Sequence, residues 1–561
     1  MNVSQATEEN WKRLSSVIDG KLERGANKSL SKRMIVPREY ICTAGGAEKI
    51  RNITDLCRRH GISRCDVLYT AACIMLEKSG ALSNAGARSF LQKSGYSYFP
   101  HLSESVISEN ERDFLGALYQ SLLTEGEKSV AGSYYTPGGT AEALLKDICY
   151  DGKKTFFDPC CGSGSLFLEL TADDPEQIYG CDNDPLAVFI SGVNLLLKYP
   201  QYDFVPQVRC CNYLESGPTG KKFDCIATNP PWGAASGRGE TFSRFFMRAL
   251  DDLKDDGFIT FLLPESFLTV KHHRDFRRNL LTGTRIRSVA YHDVQFSGVM
   301  SKAVILSAWK SVPAANFIFE RGSEKCEQSV SEILSERNAP IYFINSEDRE
   351  IIDHINKSKK YDLSRSVFAL GIVTGNNKSK IKQKYFPGSE AIFSGRDIEP
   401  YRIAEKSSGY LRYDKSELQQ TAPEEIYRAK EKLIYKFISQ DLVFAFDDRQ
   451  RLFLNSANTV IPNIPDMSIK TVLAFLNSRV MRYYYRIKFP GMKVLKSHLC
   501  ELPFPEITAD MNEKISVMAS RLLQGESALA DSMEELISDC YFLTAEQREH
   551  INDLFPKAQL S

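Results

Sequence analysis

The chain has no long apolar run. Its longest, such as 258–263, fall far short of the roughly 20 residues that span a bilayer. Met1 is followed by polar sequence rather than a basic-then-apolar leader, so the expectation is a cytoplasmic protein with no membrane partner. CxxC pairs are missing, and no Cys/His set has zinc spacing, so no metal is expected. The 14 cysteines include the adjacent pairs Cys160-Cys161 and Cys210-Cys211. Cys57, His60, Cys65 and Cys73 fall in a helical-looking stretch, where reduced, buried thiols are expected. Repeats and low-complexity segments are absent. Net charge is also absent: 71 Lys/Arg balance 71 Asp/Glu. What remains is a globular composition, 43% hydrophobic and 25% charged. At 561 residues the chain exceeds one core, and two to four domains are expected.

The balanced total hides an uneven distribution. Residues 355–505 hold 26 Lys/Arg against 15 Asp/Glu, with ten tyrosines, whereas 506–561 hold 4 against 11. A basic, tyrosine-rich block beside an acidic tail suits a polyanion-binding module, although ordinary surface charge would give the same counts.

Helical spacing dominates to about residue 125, as in Leu68, Ala71, Ala72 and Leu76, then Phe114, Leu115, Leu118 and Leu122. Glycines and a proline break it at 132–139. From about 130 to 310, strands and helices alternate. Candidate strands are 155–157, 178–181, 225–228, 258–263, 288–292 and 303–307. Phe242, Phe245, Phe246, Ala249, Leu250 and Leu253 make an apolar helix stripe between two of them. Such alternation predicts an α/β domain with a largely parallel sheet.

A glycine loop, Asp158-Pro159-Cys160-Cys161-Gly162-Ser163-Gly164-Ser165, follows the first strand and is predicted to open a helix. Glycine lets the backbone turn sharply and approach a ligand. Free N–H groups at a helix start add to the cradle. Asp158 is placed to accept a bond from a ligand's ammonium group. Asp182, in Asp182-Asn183-Asp184 at the end of the second strand, lies 20 residues after Gly162 and suits a ribose diol. A dehydrogenase shares these features, but the G-x-G-x-x-G fingerprint fails because residue 167 is Phe. An acid at the strand end also suits a cationic amino-acid moiety better than a pyrophosphate.

The strand at 223–228 runs into Asn229-Pro230-Pro231-Trp232. Two prolines stiffen this loop. The Asn229 side chain and the Pro230 carbonyl then offer two acceptors to a planar amino group. Adenine N6 is such a group and a poor nucleophile, its lone pair delocalised into the ring. Two acceptors on its hydrogens favour pyramidal nitrogen and stabilise the charge that develops there. An in-line sulfonium methyl makes the rest a positioning problem. Trp232 supplies a stacking face.

These motifs resemble the gamma class of N6-adenine DNA methyltransferases, the TaqI-like enzymes of restriction–modification systems, over roughly 115–505. The order is shared: Tyr134-Tyr135-Thr136-Pro137, the glycine loop, Asn229 to Trp232, then a target-recognition region. The resemblance implies S-adenosyl-L-methionine as cofactor. It would be held by Tyr134, Thr136, Pro137, Asp158, Pro159, Cys160, Gly162, Gly164, Ser165, Asp182, Asn183, Asn212, Tyr213 and Asn229. Asn229, Pro230, Pro231 and Trp232 would be catalytic, and Phe296 would be a second aromatic against an everted base. Two positions depart from the family. Asn212 stands where an Asp is usual, and Trp232 where Tyr or Phe is more common.

The implied fold is a Rossmann-like methyltransferase domain with a mixed, mostly parallel seven-stranded sheet, a helical N-terminal region and an α+β target-recognition domain. The expected boundaries are 1–115, helical; 116–315, catalytic; 316–355, connector; 356–506, target recognition; and 507–561, a helical appendage. Gly371 to Asn377, Gly395 to Tyr401, Phe475 to Ser478 and Leu502 to Pro505 look like segments shared by this group. Lys378, Lys380, Lys382 and Lys384 alternate, so an extended chain would align them. Arg482, Arg486, Lys493 and Lys496, interleaved with Tyr483 to Tyr485, form a second basic–aromatic cluster. With Arg396 these are the candidate DNA contacts.

The expected reaction is methylation of a flipped-out adenine in duplex DNA by a monomer, with any restriction endonuclease encoded separately. Asn-Pro-Pro-aromatic loops also serve RNA guanine or adenine amines and protein glutamine. The basic module and the upstream Thr-Pro favour DNA. Intact Asp158, Gly162, Gly164 and Asn229 oppose a non-catalytic DNA-binding subunit. A cytosine-C5 enzyme needs a catalytic Pro-Cys, and the one Pro-Cys pair, Pro159-Cys160, lies in the cofactor loop. No nuclease constellation is found.

Overall fold

The structure is a computed structural model. It describes residues 41–555 except 42, 101, 103–106, 108–110, 125, 129–134, 149, 218–219, 233–240, 294–301 and 490. Two compact units divide it, one ending at Phe343 and the other beginning at Ile344.

The first unit is built on nine strands: β1 (Phe156–Asp158), β2 (Ile178–Asp182), β3 (Gln207–Cys210), β4 (Phe223–Thr228), β5 (Leu253–Pro264), β6 (Arg285–His292), β7 (Ala303–Trp309), β8 (Asn316–Arg321) and β9 (Glu324–Ser329). Their order is β3-β2-β1-β4-β5-β7-β6-β8-β9. The run from β3 to β5 is parallel, and β7 inserts antiparallel between β5 and β6. The mixed, mostly parallel sheet is the expected class, with nine strands in place of seven. The addition is the β8–β9 hairpin, in what reads from sequence as a connector. β8 pairs parallel with β6, so β6 is not left as a bare edge. Gly322, at φ +61°, turns the hairpin.

Side chains alternate across the sheet, as its period of two demands. Phe156, Cys225, Ala227, Leu262, Ala303 and Ile305 enter one core. Phe157, Ile226, Ile259, Phe261, Leu263, Val304 and Leu306 enter the other. Helices α1 (Ala44–His60), α2 (Arg64–Lys78), α3 (Ala85–Lys93), α4 (Phe114–Leu122), α5 (Gly138–Leu145) and α6 (Pro185–Lys198) supply the first core. The N-terminal helices therefore share their core with the sheet. The approach is close: a Cβ on Gly192 of α6 would lie 2.1 Å from the Phe90 ring of α3. On the second face, α7 (Thr241–Asp252) buries the predicted stripe of Phe242, Phe245, Phe246 and Ala249. Helix α8 (Arg274–Gly283) joins it there, with Phe276 edge-on to both Phe242 and Phe246.

The second unit has a four-stranded sheet, β10-β16-β13-β14, and a three-stranded one, β12-β11-β15. The strands are β10 (Val367–Ala369), β11 (Glu390–Phe393), β12 (Gly409–Leu411), β13 (Lys432–Lys436), β14 (Phe444–Asp447), β15 (Leu452–Phe453) and β16 (Ala457–Ile461). Helices α9 (Ser346–Lys357), α10 (Ile469–Asn477) and α11 (Arg479–Lys488) accompany them. The acidic tail folds as α12 (Ala509–Leu523), α13 (Ala530–Cys540) and α14 (Ala545–Leu554). Asn512 Oδ1 accepts from Ser468 N at 2.9 Å, and Tyr541 donates to Pro503 O at 2.6 Å. These bonds make the tail helices part of this unit. No helix among the described residues is long and apolar enough to cross a membrane.

Candidate active site and nucleic-acid surface

The chain passes from β1 to β2 on one side and from β4 to β5 on the other, so the carboxyl ends of β1 and β4 form the sheet's switch point. Asp158 ends β1, Asp182 ends β2, and Asn229 follows β4. Asp158 is 2% exposed. Its Oδ1 accepts from Thr228 Oγ1 at 2.6 Å and from Cys160 N at 3.0 Å. Burial pushes its carboxyl up to about 7; the two donors pull it down and the charge of Asp182 pushes it further up. Asp182 accepts from Gly162 N and from Asp184 N, both at 3.0 Å. Burial raises this carboxyl too. The second strand's acid thus holds the first strand's glycine loop.

The loop itself departs from expectation. Residues 162–169 form successive turns, not a regular helix. Gly162 and Gly164 sit at φ +52° and +81°, where a side chain is strained. The bonds that follow mix spacings of four and three, Leu168 N to Gly164 O and Glu169 N to Leu166 O. A Cβ on Gly164 would lie 2.8 Å from the Phe167 ring.

Asn229 Nδ2 donates to Thr136 Oγ1 at 3.3 Å. Thr136 stands just before Pro137, whose carbonyl accepts from Thr140 N and Ala141 N at 2.9 Å as α5 begins. Residues 93 positions apart are so brought together. Trp232 Nε1 donates to Leu262 O of β5 at 3.2 Å, which anchors the indole edge. Pro230 is buried, and Pro231 and Trp232 are half-buried.

Other predicted residues divide. Pro159 and Ser165 are buried in the loop, and Cys160 Sγ lies 4.0 Å from Asp182 Oδ2. Asn183 is exposed. Asn212 is also exposed, and its Oδ1 caps the short helix Tyr213–Ser216 by accepting from Leu214 N at 3.2 Å. Tyr213 points into the core: its ring tilts against Phe157 and Phe245, and its hydroxyl donates to Asp252 at 2.8 Å. Tyr134 and Phe296 lie outside the described residues. Thr228, Asp113 and Tyr119 escape sequence reasoning, although each bonds to the Asp158 loop or to the Asp182 turn. Asp113 does carry a signal, an acid three residues before Gly116 at N-cap spacing.

In the second unit the lysine alternation does not produce an extended row. Lys378 and Lys380 lie on the short helix Asn377–Lys380, capped by Asn376, while Lys382 bridges to Tyr410. Lys378, Lys382, Lys384 and Arg396 are exposed. The basic–aromatic cluster also comes apart. Tyr483, Tyr484 and Tyr485 are buried, because α11 turns its aromatic face inward. Their hydroxyls donate to Asp348, Asn356 and Lys493 O. Arg482 pairs with Asp441 at 2.5 Å, and Arg486 lies over the Phe555 ring. Lys493 and Lys496 are exposed.

Residues 110–360 match the N-6 DNA methylase family, and residues 390–504 match the TaqI-like C-terminal specificity domain. The chain thus carries a DNA methyltransferase domain of the N-6 DNA methylase type, followed by a TaqI-like specificity domain. The methyltransferase is 26% identical to the type II methyltransferase M.VspI of Vibrio sp. (strain 343) over 342 residues, 56% of this chain and 83% of that one. It is 29% identical over 187 residues to the methylase subunit of the type I restriction enzyme MjaIX of Methanocaldococcus jannaschii, 30% of this chain and 33% of that one. Its fold is similar to that of the type IIL restriction–modification enzyme MmeI in complex with DNA. There the TM-score is 0.61 at 12% identity, over 93% of this chain and 97% of that one. The methyltransferase thus stands among restriction–modification proteins.

Proposed function

We propose that the methyltransferase transfers a methyl group from S-adenosyl-L-methionine to N6 of an adenine everted from duplex DNA. The bond from Asn229 Nδ2 to Thr136 Oγ1 carries this reading. With its donor side committed, the amide is left with Oδ1 for an incoming amine. The Pro230 carbonyl follows it on a loop that two prolines stiffen. Two acceptors match the two hydrogens of an exocyclic amine and stabilise the positive charge that grows on nitrogen during transfer.

The donor set suits a cationic, ribose-bearing cofactor. Asp158 is a buried carboxylate and Asp182 a half-buried one, each raised by burial. An ammonium and a ribose diol would satisfy the two respectively. The cofactor supplies a sulfonium methyl. The chain binds it, excludes water and fixes the angle of approach. Trp232, edge-anchored on β5, offers a ring face to the everted base. Lys378, Lys382, Lys384, Arg396, Lys493 and Lys496 are the proposed phosphate contacts.

The test is incorporation of labelled methyl into duplex DNA, RNA and protein, with nucleoside mass spectrometry of the product. N6-methyldeoxyadenosine is expected. A label confined to RNA or protein would overturn the choice of acceptor. Asn229→Ala should fold and bind cofactor, yet transfer methyl at least about a hundredfold more slowly.

A further inference from the structure

We propose that helix α4 positions the cofactor cradle from behind, through Asp113 at its start and Tyr119 on its second turn. The inference rests on the reading of the glycine loop as the cofactor site. Asp113 lies just before α4 and caps it, its Oδ1 accepting from Gly116 N at 2.9 Å. The same carboxylate accepts from Ser163 Oγ, between the two left-handed glycines, and from Asn194 Nδ2 of α6 at 2.9 Å. Asn194 Nδ2 also donates to Ser163 O at 2.8 Å. The hydroxyl and the carbonyl of Ser163 are therefore held by side chains from outside the loop. Burial pushes the Asp113 carboxyl up, and its donors oppose that rise. The carboxylate is costly to bury and is retained through the bonds it makes.

Six residues on, roughly 9 Å along the helix, Tyr119 donates to Asp184 Oδ2 at 2.5 Å. Asp184 N in turn donates to Asp182 Oδ1, and Asp182 Oδ2 accepts from Gly162 N. One rigid helix thus reaches both sides of the cradle, the loop after β1 and the turn after β2. Neither Asp113 nor Tyr119 belongs to the cradle itself. They act through Ser163 and Asp184, so they are positioning residues. Gly116 fits the same design: a Cβ there would lie 2.3 Å from Asp113 Oδ2.

The full-length enzyme would be assayed with S-adenosylmethionine as the varied substrate, and titrated calorimetrically with the same compound. Tyr119→Phe removes one hydroxyl and Asp113→Ala one carboxylate. Each should raise KM for S-adenosylmethionine about tenfold, the worth of one hydrogen bond to a charged group, with kcat at saturation near wild type. Asp113→Asn should restore most of the affinity, since its amide can accept from Gly116 and Asn194 and donate to Ser163. Gly116→Ala favours helix yet should weaken cofactor binding, because the methyl displaces the carboxylate. A folded Tyr119→Phe with unchanged KM, or a fall in kcat alone, would overturn the proposal. Failure of the wild type to bind S-adenosylmethionine would instead overturn the cofactor reading.

Discussion

Asp158 sits 2% exposed with a carboxyl near 7, so ordinary buffers span its titration. Binding a cation requires the ionised form. Affinity for S-adenosylmethionine should therefore fall as pH drops through 7, by about tenfold per unit below it, which calorimetry between pH 6 and 8.5 would follow. Stability runs the other way. A carboxyl raised on folding favours the protonated native state, so its contribution is full below the unfolded value near 4 and is lost as pH rises through 7. The apoprotein should thus melt higher at pH 6 than at pH 8 through this group. Thr228→Val removes a donor to the carboxylate and should move the affinity profile to higher pH. Asp158, Asp182 and Asn229 were legible because strand-end acids and an Asn-Pro-Pro turn are local patterns. Thr228 was not: its bond to Asp158 spans 70 positions, and a threonine inside a strand gives no local sign of its partner. Tyr213 misled because an aromatic after the third strand reads the same whether it faces a ligand or Asp252.

Among elements, β13 and β14 hold a costly arrangement. Lys432 and Asp447 form an ion pair with both side chains at 0% exposure, and Arg451 pairs with the same carboxylate at 2.9 Å. Removing one member strands a charge in the interior. Lys432→Met should destabilise the protein by about 3 kcal/mol in urea unfolding, whereas a loss under about 1 kcal/mol would show that Arg451 suffices. Helix α3 makes a similar demand through backbone contact. A Cβ at Gly86 would lie 2.1 Å from Phe204 O, so Gly86→Ala should cost about 1–3 kcal/mol. Six strands were readable from their apolar runs. β3 was not, because its residues are half-buried or exposed, which leaves no hydrophobic pattern. β8 and β9 were hidden for a related reason: their one apolar run, Phe317 to Phe319, is only three residues long and lies in a stretch that reads as a linker. Where a helix was expected after the glycine loop, successive turns stand instead, their bonds mixing spacings of four and three.

For the whole molecule, zero net charge conceals a surplus of 26 over 15 basic residues in 355–505. If exposed Lys382 and Lys384 each meet a phosphate, replacing both by Gln should lower the slope of log affinity against log salt by about 1.8. Arg482→Gln, already paired to Asp441, should leave that slope unchanged and reduce stability instead. Binding measured across a salt series separates the two cases. Charge predicted the module, but the tyrosine count overstated its surface, since Tyr483 and Tyr485 are core residues at 0% exposure. Among the described residues, the chain passes from the first unit to the second once, at Phe343 and Ile344. The acids that cradle the proposed cofactor and the domain that matches a specificity module lie on opposite sides of that passage. Asp158, Asp182 and Asn229 all come before it, so an exchange of the later segment would leave these three on one uninterrupted stretch of chain.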